Sequence, residues 1–85
     1  MTRTVFLVLV GNRLESASRV QQILTGWGCM IKTRLGLHDG VLEGCTESGL
    51  IVLEVVGEEE KKAELERKLG VVPGVTAKRV DLTLP

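Results

Sequence analysis

The first place where this sequence could do chemistry is Gly11-Asn12-Arg13. A glycine lets a ligand approach the backbone closely, and free amides at the start of a helix bind carboxylates. Arg13, with Arg34 further along, would add charge-assisted bonds to an anionic group. Gly11, Asn12, Arg13 and Arg34 are therefore the candidate ligand-binding residues. The plainer account of the same loop is structural. Gly11 permits a turn, and Asn12 with Glu15 three positions on has the spacing of a helix capping box.

His38 and Cys45 form a second candidate. Imidazole and thiolate are good ligands for nickel, zinc or copper, and Asp39, Glu43 and Glu47 lie near in sequence. Two such ligands make only half a site, so a second subunit would have to complete it. No metal or other cofactor is assigned on this pair alone. Cys29 has no cysteine close by and is expected on the core side of a strand, as a small hydrophobe. Trp27 is expected to lid the core at a helix end. Glu58-Glu59-Glu60 reads as the solvated start of a helix. With one histidine, no tyrosine and no nucleophile set beside a base, the chain is not expected to be an enzyme.

The elements that must position these residues are legible from periodicity. Val5–Val10 is a continuous apolar run closed by Gly11-Asn12, which predicts a strand covered on both faces. Leu14, Ala17, Val20, Ile23 or Leu24, and Trp27 recur at helical steps, and Gly26 and Gly28 stop that helix. Cys29 to Leu37 alternates as a second strand, with Ile31, Thr33, Leu35 and Leu37 on one face and Met30, Lys32 and Arg34 on the other. A glycine-rich loop, His38 to Gly49, leads to a third strand, Leu50 to Val56. Acids open the second helix where they suit its dipole. Glu58 with Lys62 and Glu64 with Lys68 have ion-pair spacing, and Ala63, Leu65 and Leu69 mark the buried face. Gly70 and Pro73-Gly74 end that helix and turn the chain into a fourth strand, Val75 to Leu82.

This β-α-β-β-α-β order predicts one α+β domain over residues 1–85. Its form is a ferredoxin-like sandwich with antiparallel sheet order 4-1-3-2 and two helices on one face. Charge supports the strand placement. The central strands carry only Glu54, whereas the edge strands carry Lys32 and Arg34, then Lys78, Arg79 and Asp81, and charged edges discourage unwanted pairing. Lys32, Arg34 and Glu54 are expected to point away from the helices, with Glu54 meeting Arg34 or Lys32 across the hairpin. Leu50, Val52 and half of Val5–Val10 would share that helix-free face. A monomer seldom exposes such a patch, so a second subunit should cover it, or sheets should join edge to edge.

Composition narrows the partners. Eleven cations balance eleven anions, which gives no electrostatic footprint for nucleic acid. The charge is uneven: residues 1–35 carry net +4, residues 36–66 net −7 and residues 67–85 net +3. Ends and middle are expected to attract one another within the fold. The apolar run behind Arg3 is too short for a signal peptide, and no segment is long enough to span a membrane. Two separated cysteines make no disulfide framework, so a reduced, cytoplasmic setting is expected.

The segments Gly11-Asn12, Val20-Gln21-Gln22-Ile23-Leu24, Trp27-Gly28, Arg34-Leu35-Gly36 and Lys68-Leu69-Gly70-Val71-Val72-Pro73-Gly74-Val75 resemble the small iron-only hydrogenase system regulators. The resemblance runs over about residues 4–80. It implies an ACT-like fold, similar to the regulatory domain of nickel-responsive repressors. It also implies association as a homo-oligomer, dimer or tetramer, and a regulatory role with a small-molecule effector at the loop between the first strand and first helix. The second helix departs from the family by placing Lys62 where an apolar residue is usual. Nickel-responsive repressors carry a separate DNA-binding segment ahead of that domain. Here the first strand begins by Thr4 or Val5, so direct nucleic-acid binding is not expected. The alternatives are a nickel-type metal-binding module and a purely structural interaction domain.

Overall fold

The computed structural model describes residues 1–11, 14–38 and 49–85. The elements follow the expected order: β1 (Thr2–Val10), α1 (Leu14–Gly26), β2 (Ile31–His38), β3 (Gly49–Val55), α2 (Glu59–Gly70) and β4 (Val75–Thr83). A single 3₁₀ turn, Gly28–Met30, joins α1 to β2. The strands form one sheet in the order β2-β3-β1-β4, every neighbouring pair antiparallel. This is the order 4-1-3-2 read from the other edge, and the fold is a ferredoxin-like βαββαβ sandwich.

Alternation along β1 divides the sheet. Phe6, Val8 and Val10 are buried, and so are Ile51, Leu53 and Val55 on β3. They pack beneath Val20 and Leu24 of α1 and Leu65 and Leu69 of α2, with Val72 closing the far end of α2. The other parity of the same strands lies on the face away from this core. Among the described residues, the helices cover β1 on one face, and its unbroken apolar run leaves the other parity facing away from them. Composition could not show this, because β1 places leucine and valine on the open side as well.

Two further expectations are corrected by side-chain phase. A bulge in β2 between Ile31 and Thr33 inserts one residue, which reverses the facing of everything after it. Ile31 keeps to the core side opposite Val55, but Thr33 and Leu35 pair with Glu54 and Val52 on the open face. Arg34 turns to the helix side, opposite Leu53, and its guanidinium donates to the Gln21 side-chain oxygen of α1. On α2, Leu65 and Leu69 set a stripe that passes through Lys62, three residues before Leu65, and leaves Ala63 exposed. Lys62 accordingly reaches the sheet, not Glu58. Cys29, expected in the core, lies in the 3₁₀ turn and is exposed.

The turn before β4 explains the glycines at that end. Gly74 has φ 78°, a conformation that side chains disfavour. Its carbonyl accepts the Gly11 N–H at 2.7 Å, and a Cβ on Gly11 would sit 2.9 Å from the same oxygen. Ser16, buried on α1, donates to the neighbouring Pro73 carbonyl. The start of α1 is thus tied to the start of β4.

Candidate interaction face

Of the candidate ligand-binding residues, the described geometry places Gly11 and Arg34, and it sets them apart. The Gly11 amide is bonded to Gly74 and is not free for a carboxylate. Asn12 and Arg13 lie outside the described residues. Arg34 stands two strands across from β1, paired with Leu53, while Gly11 follows the far end of β1. At the usual strand spacing and rise this separates them by about 10 Å across the sheet and more along it. Cys45 also lies outside the described residues, as do Asp39, Glu43 and Glu47. Among the described residues no group of three or more His, Cys, Asp or Glu side chains could hold a metal ion. No helix among them is long and apolar enough to cross a membrane.

The open face of the sheet is the larger feature. Ladder register arranges it in rows that run from edge to edge. Thr33, Glu54, Val5 and Val80 make one row; Leu35, Val52, Leu7 and Lys78 make the next; Leu50, Leu9 and Thr76 follow. Arg3 and Leu82 form the last pair at the other end. Leu7 is 37% exposed, Leu9 52%, Leu35 53% and Leu82 60%. Val5, Leu50, Val52 and Val80 on the same face are half-buried. An isolated exposed leucine is ordinary, but this many on one flat surface are contiguous.

Glu54 lies on this face and binds Arg3 of β1, not Arg34. The guanidinium donates through Nε and Nη2 to the two carboxylate oxygens, each at 2.6 Å. That fork geometry holds both groups in one orientation. It also holds the Glu54 carboxyl below the usual carboxylate range; partial burial opposes the shift, and Lys32 adds to it. The Glu54 side chain is 14% exposed and that of Arg3 56%. Beside the pair is a half-open hollow of about 450 Å³, lined by Met1, Val5, Leu82 and Leu84 together with Arg3 and Glu54.

A second charged network lies on the helix side at the same end of the sheet. Thr4 is buried, and its hydroxyl donates to Asp81 Oδ1 at 2.6 Å while accepting from Lys62 Nζ at 2.9 Å. Arg79 contacts the other oxygen of Asp81 at 3.1 Å and donates twice, at 2.6 Å, to Glu59 at the start of α2. The Thr4 bond, then Arg79, lowers the Asp81 pKa, and the Arg79 fork lowers that of Glu59. Lys62, Arg79, Asp81 and Glu59 balance in charge, and the network clamps α2 to β4 and β1.

No family model and no curated protein matches the sequence. Among solved structures, an uncharacterized protein from Thermotoga maritima is similar over 98% of this chain and 100% of its own, with a TM-score of 0.82 and 24% identity. A formyltetrahydrofolate deformylase from Pseudomonas putida KT2440 is similar at a TM-score of 0.57 and 14% identity; 94% of this chain matches 28% of that one. What the chain shares with both is the fold: a βαββαβ sandwich that makes up the whole of one protein and a minor part of the other.

Proposed function

We propose that this chain is a non-catalytic regulatory module that acts through association, of the kind the iron-only hydrogenase system regulators represent. The observation that carries the reading is the open face of the sheet. Contiguous leucine and valine side chains there suit contact with another protein surface. The resemblance of the sequence to those regulators supports the hydrogenase system as the setting, and an ACT-like regulatory domain as the finer description of the fold. Sedimentation at micromolar concentration tests the association. A mass above that of one chain is expected, and a monomer would overturn it.

A second reading, that the module also senses a small effector, is favoured by the hollow beside Arg3. Its volume lies within the range of small-molecule sites. Two of the five N–H groups of Arg3 hold Glu54, which leaves the outer edge of the guanidinium for an anionic group. Both Glu54 oxygens are taken by Arg3, so the effector this site fits is an acid with an apolar body. Thermal shift with a short-chain fatty acid and its amine counterpart is the test. The acid alone should raise the melting temperature, and Arg3→Gln should remove the rise. An equal rise with the amine would sink this reading.

A further inference from the structure

We infer that a second hollow, built by the helix layer, is a binding site for a planar aromatic carboxylate. It lies where the end of α1, the 3₁₀ turn and the first turn of α2 meet. Gly26, Trp27, Cys29, Met30 and Lys61 line it, and its volume is about 350 Å³. That falls within the range of small-molecule sites, roughly 300–1,000 Å³. It shares no lining residue with the hollow beside Arg3.

The walls are fixed by the chain's own bonds. The Trp27 amide donates to the Ile23 carbonyl at 3.1 Å, which ties the turn to α1. The Met30 amide donates to the Trp27 carbonyl at 3.0 Å, and the Met30 carbonyl accepts the Val56 N–H at 2.8 Å. The Met30 side chain is seated against Gly57, where a Cβ would stand 3.1 Å from the methionine methyl carbon. Trp27 and Met30 both pack against the core, so each has one side held while another lines the hollow. At Gly26 an added Cβ would meet nothing within 4 Å, so the space beside that residue is open.

The lining selects the ligand. An indole favours a second ring stacked against it, and a thioether favours a ring edge. Lys61 is the only cation in the lining and takes part in none of the ion pairs among the described residues. Its ammonium, on a flexible stem, can reach a carboxylate at the rim. Glu60 stands about 100° round the helix from Lys61, and Glu59 is held by Arg79. No carboxylate lines the hollow, so a ligand amine finds no ionic partner there.

The experiment titrates the whole chain with 2-naphthoate, its uncharged amide and its fully saturated analogue. Trp27 is the single tryptophan, so its indole N–H gives one NMR signal that reports this site. Cys29 is exposed, and its alkylation, followed on its own peptide by mass spectrometry, is the second readout. 2-Naphthoate should shift the indole signal and slow Cys29 alkylation with one midpoint. Lys61→Gln should weaken binding about three- to fivefold, the scale of an exposed ion pair. Gly26→Met, which fills the open space, should weaken it about tenfold or more with the circular dichroism spectrum unchanged. Arg3→Gln should leave both signals as they are. The absence of a saturable shift at Trp27 would overturn the proposal. So would equal affinity for the amide or the saturated acid, or a Lys61→Gln variant that binds like wild type. A response lost in Arg3→Gln would assign the acid to the other hollow and overturn this one.

Discussion

The two faces of one sheet share their strands but not their fate. On β1, Phe6 and Val8 are fully buried, while Leu7 and Leu9 between them are 37% and 52% exposed. All four are large and apolar, so composition does not separate them. What separates them is that α1 and α2 both cross the same side. The helix face is a finished core whose polar atoms find partners: among the described residues, no buried side-chain nitrogen or oxygen lacks a hydrogen bond. The open face has partly exposed leucines that no helix among the described residues covers. The lesson is that burial within the chain and readiness for a partner can be encoded in alternate residues of one strand.

The sharpest way to break this comparison is to truncate neighbours. Phe6→Ala should cost about 3–5 kcal/mol in denaturant unfolding, the usual loss for a buried aromatic. Leu7→Ala should cost under about 1 kcal/mol at concentrations low enough for monomer. Equal losses would mean that the faces are not different in the way described.

Next in size is Thr4→Val. It keeps the shape but removes the hydroxyl between Lys62 and Asp81, leaving the Lys62 ammonium facing a methyl group. A loss of about 1–3 kcal/mol is expected by thermal or denaturant melting. A neutral outcome would show that the clamp on α2 is carried by Arg79 and Glu59 without Thr4.

Acid should then act on both faces together. Glu54, Glu59 and Asp81 each have a folded pKa below the ordinary value. A depressed folded pKa contributes stability above the unfolded pKa, and the contribution is lost as pH falls through the folded one. Melting temperature should therefore be level from neutral pH to about 5 and decline below about 4. Thr4→Val should reduce the share of this decline that belongs to Asp81, whose largest stabilising contact is Thr4. The smallest effect is expected at Arg34→Ala. The Arg34–Gln21 contact is exposed, so the change should stay within about 0.5 kcal/mol.

Much of the fold was legible because it is written in local signals. The turn residues Gly26, Gly28, Gly70 and Pro73-Gly74 stand close to where the elements end, and the sheet order followed from which strands carry charge. The candidate site was less legible. Arg34 was expected to point away from the helices because nothing in Ile-Lys-Thr-Arg-Leu announces a bulge, and one inserted residue reverses a strand. Glu54 was expected to find Arg34 or Lys32, its hairpin neighbours, but Arg3 on the adjoining central strand offers a fork that fits both oxygens. Lys62 was assigned to Glu58 by spacing, yet the helix stripe set by Leu65 and Leu69 turns it toward Thr4.

By itself the sequence determined the order of elements, their approximate limits and the strand order, since these rest on periodicity, turn chemistry and charge along the chain. Only the tertiary structure decided which parity of β1 is core, where β2 changes phase, and which charges meet. The physical reason is the same in each case. A strand with apolar residues at both parities is indifferent to which face is covered, and the choice is made by where the crossing helices lie.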